Sequence, residues 1–191
     1  MTTNRLEAFS DGVLAIVITI MVLEMQVPEG SSWSHLKPVL PKFTSYVLSF
    51  IYLGIYWNNH HHLFQAIQKV NGKVLWANLF LLFTLSLLPF TTAWMGENHF
   101  EKNPVILYGL NLLLCAIAFL ILEKTSTSSD GKSSVISSAL ESNRKEIISI
   151  VLYLIGVITA IFYPIIGLIF FVIVAIVWLI PDKRIENKLK N

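Results

Sequence analysis

Residues 147–180 read IISIVLYLIGVITAIFYPIIGLIFFVIVAIVWLI and contain no formally charged side chain. One α-helix of this length would be roughly 50 Å long, whereas the hydrocarbon core of a bilayer is about 30 Å thick. The stretch therefore predicts two membrane spans. The expected break is at Tyr163-Pro164, because proline disfavours helix at the residue before it. Each half then has about 17 residues, the short end of the spanning range.

The rest of the chain has the same character. Of its 191 residues 54% are hydrophobic and 14% are charged, whereas a soluble domain carries roughly 25% charged residues. Apolar segments at about 6–26, 40–64, 73–95 and 104–123 precede the spans at 147–163 and 164–180. We therefore predict an all-α integral membrane protein in which residues 1–191 form a single domain of six transmembrane helices. Residues 124–146, rich in serine and threonine, are predicted to be a cytoplasmic linker, with a short amphipathic helix near 135–144.

Basic residues predict the orientation. Six spans place both termini on the same side of the membrane. If that side is the cytoplasm, the cytoplasmic segments hold eleven basic residues: Arg5, Lys69, Lys73, Lys124, Lys132, Arg144, Lys145, Lys183, Arg184, Lys188 and Lys190. The outer loops hold only Lys37, Lys42 and Lys102. By the positive-inside rule both termini are expected in the cytoplasm, as in a multi-pass protein of the cell (plasma) membrane. The net charge of +2 is too small to indicate nucleic acid as a partner.

The first span opens with a carboxylate, Asp11, about one turn inside its cytoplasmic end. A carboxylate at the centre of a membrane helix costs about 2.5–3.5 kcal/mol, and less near the ends. Arg5 lies about 120° away around the helix and could still reach round the helix end, but Asp11 is expected to turn inward to other helices. The same level holds residues 57–62 of the second span and Asn78 of the third. We predict a buried polar cluster that joins the first three helices, and its simplest role is structural.

Three consecutive histidines, His60, His61 and His62, raise the question of a metal. Consecutive helical residues point about 100° apart, so the three cannot ligate one ion from one helix. No histidine pair has the favourable spacing of four, and Cys115 lies far along the chain. We therefore predict no metal site and no cofactor.

Beyond Asp11, one narrow stripe of the first helix holds Phe9, Gly12, Ile16, Thr19, Ile20 and Leu23. The stripe has two interpretations. It could line a functional surface, or it could be an ordinary packed or lipid-facing surface on which Thr19 bonds the carbonyl of Ala15. Periodicity alone favours the second, because the helix is apolar all round.

The opening Arg5-x-x-x-Phe9-Ser10-Asp11, followed by Gly12-Val13-x-Ala15-Ile16-x-x-Thr19, resembles the signature of the transmembrane protein 175 family of potassium channels. The Trp57-x-x-His60-His61 end of the second span is similar to the family's pattern. The resemblance covers essentially the whole chain. A single six-helix unit is similar to the family's prokaryotic members.

This resemblance implies a homotetramer in the lipid bilayer, with the first helices lining a central pore that lacks a Thr-Val-Gly-Tyr-Gly filter. It implies passive, modestly selective conduction of K+, and no enzymatic activity. Carried over, Ile16, Ile20 and Leu23 face the pore as apolar rings that gate by dewetting, and the Thr19 hydroxyl contacts the ion. The inner-end network that fixes the pore helices then comprises Arg5, Phe9, Ser10, Asp11, Trp57, His60, His61 and Asn78.

The residues themselves leave two alternatives to a channel open. A secondary transporter is favoured by Asn111 in the fourth span and Pro89 in the third, although such features are often only packing and a kink. A membrane enzyme or haem protein would have only His60–His62 and Asp11 as candidate groups. Flux of K+ that is passive, and not coupled to a second solute, would separate a channel from a transporter.

Overall fold

The computed structural model describes residues 2–67, 70–130 and 144–179. All regular structure in these ranges is helical, which confirms the predicted all-α class. The elements are α1 (Thr3–Leu23), a 3-10 helix (Trp33–Val39), α2 (Leu40–Ala66), α3 (Gly72–Ser86), α4 (Leu88–Glu97), α5 (Lys102–Asp130), α6 (Arg144–Ala160) and α7 (Pro164–Leu179). Four described stretches are long and apolar enough to cross a membrane: Thr3–Leu23, Trp33–Ala66, Gly72–Glu97 and Lys102–Ser129.

The helix ends differ from several of the predicted spans; α6, for example, begins and ends three residues before the predicted 147–163. α1 begins at Thr3 and ends at Leu23, three residues earlier at each end than the predicted 6–26. α5 continues to Asp130, seven residues into the predicted linker. Its last turns carry hydroxyls that donate to carbonyls four residues earlier, so these side chains bond the helix's own backbone; they belong to Thr125, Thr127 and Ser128. The amphipathic helix predicted near 135–144 lies outside the described residues, apart from position 144.

The predicted third span is two helices, α3 and α4, which meet at Leu87. Pro89 explains the break, because proline has no N–H to donate and its ring clashes with the carbonyl four residues earlier. The side-chain amide of Asn111 on α5 lies against the break. With its nitrogen toward Thr84, it donates to the Thr84 carbonyl at 3.0 Å and accepts from the Leu88 N–H at 3.3 Å. The Thr84 carbonyl and the Leu88 N–H, which the break separates, thus have a partner inside the protein, as the membrane interior requires.

α6 and α7 form a tight hairpin next to the predicted break, since α6 ends at Ala160 and α7 begins at Pro164. The two helices touch at glycines. A Cβ added to Gly167 would lie 2.6 Å from the Gly156 carbonyl oxygen and 2.6 Å from the Ala160 Cβ. Small residues allow membrane helices this close approach, in which backbone packs directly on backbone.

α1 lies at the edge of the bundle. α5 is central and packs against α3, α4, α6 and α7, whereas α1 packs against α2, α3 and α4. The residues that α1 buries recur at spacings of three and four, and they are Leu6, Ser10, Leu14, Val17 and Met21. One face of α1 is therefore held in the bundle, and the opposite face is left open within the described chain.

Candidate functional site

A buried chain of hydrogen bonds joins α1, α2 and α3. The Asn78 Nδ2 group on α3 donates to Ser10 Oγ on α1 at 2.9 Å. Its Oδ1 atom then faces His60 on α2 and accepts from Nε2 at 2.8 Å. Ser10 Oγ in turn donates to the Leu6 carbonyl of its own helix at 2.9 Å. Ser10, Asn78 and His60 are almost completely buried, so this chain is shielded from competing water.

A second pair of contacts links α1 to α2 at the surface of the same region. The Trp57 indole Nε1 donates to Asp11 Oδ1 at 3.0 Å, and His61 Nδ1 lies 2.6 Å from Glu7 Oε1. The two residue numbers of each pair add up to 68, which is the register of two antiparallel helices. The Trp57 and His61 rings also stack, with centroids 6.2 Å apart. The Asp11 carboxylate is therefore placed against α2 rather than beside Arg5. The side chains in these two sets of contacts are called the brace, and its seven members are Glu7, Ser10, Asp11, Trp57, His60, His61 and Asn78.

Glu7 and Gln65, which are not among the residues predicted for the network, both contribute to it. Gln65 Nε2 lies 2.8 Å from His61 Nε2, so both ring nitrogens of His61 have a partner. The signal for Glu7 is in the sequence: it lies four residues before Asp11, and His61 lies four residues after Trp57. Two antiparallel helices in contact bring such matched spacings face to face.

Two predicted members of the network lie elsewhere. Arg5 is exposed and, within the described residues, makes no hydrogen bond or ion pair. Phe9 is exposed on the open side of α1, and Trp76, which shares the level of the brace, is 75% exposed. His60 and His61 face α3 and α1 respectively, so their ring nitrogens do not converge on one point.

The open face of α1 carries the stripe that the periodicity predicts. Ile16 is 59% exposed and Leu23 is 79% exposed, and Ile20 and Thr19 are exposed between them. A Cβ added to Gly12 would meet no heavy atom within 4 Å. From the brace to the C-terminal end of α1, this face is apolar apart from Thr19 and is uncovered within the described chain.

Thr19 is the polar group of the stripe. Its hydroxyl donates to the carbonyls of Ala15 at 3.0 Å and Ile16 at 2.9 Å. This is the backbone bond that the ordinary interpretation of the stripe expects. Because the hydrogen is turned to the helix, the lone pairs of the oxygen point away from it.

A groove of about 520 Å³ runs along the stripe between α1 and α4. Ile16 and Ile20 line it from α1, and Phe90 and Trp94 line it from α4. Its lining also includes the carboxylates of Glu24 and Glu97, and Lys42 pairs with Glu97 at 2.9 Å. The open side of α1 is thus an apolar surface with acidic groups near its C-terminal end.

The same region of the chain matches a protein family. The family model described as endosomal/lysosomal potassium channel TMEM175 matches residues 5–89, which begin at Arg5 and include α2 and α3. The match therefore contains every residue of the brace and of the stripe.

Two relatives extend the similarity beyond residues 5–89. The chain is 60% identical over 191 residues to a potassium channel of Chryseobacterium sp. (strain P1-3), which covers 100% of both chains. It is 32% identical over 135 residues to the endosomal/lysosomal proton channel TMEM175 of Mus musculus, covering 62% of this chain and 26% of the mouse protein.

The fold is similar to the crystal structure of a lysosomal potassium-selective channel TMEM175 homolog from Chamaesiphon minutus. The TM-score is 0.79 at 24% identity, over 94% of this chain and 97% of that one. At that identity the likeness concerns the fold, whereas the Chryseobacterium relative matches along its whole length. The chain therefore belongs to the TMEM175 family.

Proposed function

We propose that this chain is one subunit of a homotetrameric potassium channel whose pore is lined by α1. The observation that carries the proposal is the open apolar stripe on α1, which starts beside the brace in a chain 60% identical to a bacterial potassium channel. One helix cannot enclose a pore, so several copies have to contribute. Four copies of α1 with this stripe toward a common axis form a closed lining.

Conduction then depends on the side chains of the stripe. Rings of Ile16, Ile20 and Leu23 offer no ligands to an ion, so they gate by dewetting and select by the cost of dehydration. Potassium holds its water less tightly than sodium, so a narrow Ile16 ring penalises sodium more. The lone pairs of four Thr19 hydroxyls compensate part of the cost for K+. Selectivity is modest, because no rigid cage of carbonyls surrounds the ion.

The brace sets the position of the pore helix. Asn78 and the Trp57–Asp11 contact fix α1 against α2 and α3 at one end of the stripe. Arg5 and Phe9 lie on the open side of α1, where they face neighbouring subunits in a tetramer. We assign them to the inner end of the pore.

The chain crosses the plasma membrane six times, with both termini in the cytoplasm. α6 and α7 supply the last two spans with 17 and 16 residues, at the short end of the spanning range. The distribution of lysine and arginine, eleven inside against three outside, supports this orientation.

Flux from liposomes tests the proposal. The full-length protein is reconstituted with a K+ gradient, and the wild type is compared with Ile16→Asn and Ile158→Asn. Ile16 and Ile158 are both 59% exposed, but Ile158 lies on α6, away from the stripe. Ile16→Asn is expected to wet the constriction, raise the flux and lower the K+ over Na+ permeability ratio toward one, whereas Ile158→Asn leaves both unchanged.

Three results would contradict the proposal. One is K+ flux that requires a second solute, which indicates a transporter. Another is an unchanged permeability ratio in Ile16→Asn. The third concerns protons, because the mouse relative is named a proton channel. A pH-sensitive dye in the same liposomes that reports proton flux without K+ flux would assign the pore to protons.

A further inference from the structure

A second groove, of about 1030 Å³, lies between α3 and α5 on the opposite side of α3 from the brace. Each helix presents one stripe to it, at spacings of three and four residues. The principal lining residues are Lys73, Trp76 and Phe80 of α3 with Ile121, Lys124 and Ser128 of α5. Neither the brace nor the α1 stripe includes any of them.

The groove changes from basic to apolar along its length. Lys73 and Lys124 are exposed, and the charged residues among its described lining are these two lysines. Within the described residues neither ammonium group makes an ion pair. Phe80 lies seven residues further along α3 than Lys73, which is about 10 Å deeper. Together with Ile121 it gives the deep end of the groove an apolar wall.

The positive charge of the groove comes from the lysines and not from helix amides. Asn71 Oδ1 accepts from the N–H groups of Lys73 at 3.0 Å and Val74 at 3.1 Å, so these amides are already used. The Asn71 amide also donates to Ser129 Oγ at 3.1 Å, which ties the start of α3 to the end of α5. This hydrogen bond joins the two helices at the basic end of the groove, beside the two lysines.

Trp76 marks the boundary between the two ends. It is 75% exposed, three residues from Lys73 and four from Phe80. Exposed tryptophan side chains in membrane proteins concentrate at the level of the lipid headgroups. The lysines therefore lie at headgroup level, and Phe80 lies at the level of the acyl chains.

We propose that this groove binds an anionic phospholipid, with its phosphate between Lys73 and Lys124 and an acyl chain along Phe80 and Ile121. Basic pockets between membrane helices are suited to phosphate headgroups by charge. The apolar wall is what selects a lipid over a soluble phosphate, which needs only the basic end. The site is separate from the proposed pore, and its occupancy is measured without any ion flux.

Native mass spectrometry of the purified full-length protein tests the site, using phosphatidylglycerol and phosphatidylcholine with the same acyl chains. The double variant Lys73→Gln/Lys124→Gln is compared with Lys37→Gln/Lys102→Gln, which removes two exposed lysines from the other end of the bundle. The wild type is expected to prefer phosphatidylglycerol. Loss of Lys73 and Lys124 should weaken that binding about 30-fold and leave phosphatidylcholine unchanged. The control pair should keep the preference.

Four outcomes would overturn the inference. The first is equal binding of both lipids by the wild type, and the second is equal loss in the two double variants. The third is complete displacement of phosphatidylglycerol by millimolar inorganic phosphate, which would indicate a soluble-anion site. The fourth is dissociation of the protein oligomer in Lys73→Gln/Lys124→Gln and not in the control variant, which would make the groove a contact between subunits. Circular dichroism of each variant verifies that it is folded.

Discussion

Replacement of Asn78 by alanine is expected to destabilise the protein by removing two hydrogen bonds between helices. Such bonds are worth about 0.6 kcal/mol on average in membrane proteins and about 1.7 kcal/mol at most, so two give about 1.2–3.4 kcal/mol. The loss is uneven. Ser10 keeps its bond to the Leu6 carbonyl, whereas the His60 ring, whose Nδ1 atom has no partner in the described structure, loses its bond at Nε2. A buried unsatisfied donor costs about 1–3 kcal/mol, so we expect a total near 2–3 kcal/mol.

Denaturant unfolding of the full chain in mixed micelles measures this change, with Asn59→Ala as the control. Asn59 is half-buried on α2, and its side chain donates to the Ile55 carbonyl of its own helix at 2.8 Å. Its replacement should lower the free energy of unfolding by less than about 1 kcal/mol, because no bond between helices is lost.

A double-mutant cycle isolates the bond between α1 and α3. Ser10→Ala and Asn78→Ala should be coupled by about 0.6 kcal/mol, and by no more than about 1.7 kcal/mol. The reasoning is refuted if the two changes are additive. It is also refuted if Asn78→Ala is no more harmful than Asn59→Ala, since the buried chain would then not hold the three helices together.

Two further changes probe the stripe and the hairpin. Thr19→Val should reduce single-channel K+ conductance about two- to tenfold, because the oxygen lone pairs are lost, and Thr19→Ser should retain it. Equal conductance in Thr19→Val would mean that the hydroxyl serves only the helix backbone. Gly167→Ala should lower the free energy of unfolding by about 1–3 kcal/mol, because its Cβ would lie 2.6 Å from that of Ala160. The control is Gly54→Ala, because a Cβ there would meet no heavy atom within 4 Å, and it should be neutral or stabilising by up to about 1 kcal/mol. Thermal unfolding measures both variants, and equal destabilisation by Gly167→Ala and Gly54→Ala would contradict the steric argument.

Helical periodicity predicted which residues of α1 share a face. Ile16, Ile20 and Leu23 lie together because spacings of three, four and seven are a property of the helix itself. The sequence did not say which face packs. Leu14 and Val17, which are buried, are as apolar as the exposed residues, so only the positions of α2, α3 and α4 decide.

The sequence predicted the membrane depth at which the residues of the brace lie, but not which of them contact each other. Matching the ends of the first three helices brought Asp11, Trp57 and Asn78 to one depth. Which atoms meet depends on how α1 is rotated against α2, and that rotation also sets Glu7 on His61. The same rotation leaves Arg5 outside the contacts.

Local sequence explains why the third span breaks, but it does not identify the side chain that bonds the backbone at the break. Pro89 is visible in the sequence, and a helix break near it follows from its missing N–H. The partner that covers the break, Asn111, is more than twenty residues away, so local pattern cannot assign it. α5 extends beyond its predicted end for a local reason. Thr125 and Ser128 favour a linker by composition, but their hydroxyls bond carbonyls of their own helix.

The brace makes α1, in mechanical terms, a beam clamped at one end. In the described residues its side-chain hydrogen bonds to other helices come from Glu7, Ser10 and Asp11, and the rest of the helix is held by apolar contacts, which tolerate small shifts. Ile16 lies about 9 Å beyond Ser10 and Leu23 about 20 Å beyond it. A tilt of about 5° around the clamp moves these two positions by roughly 0.8 and 1.7 Å at the helical rise of 1.5 Å per residue. The lever arm therefore makes any aperture at Leu23 about twice as sensitive to the tilt of α1 as one at Ile16.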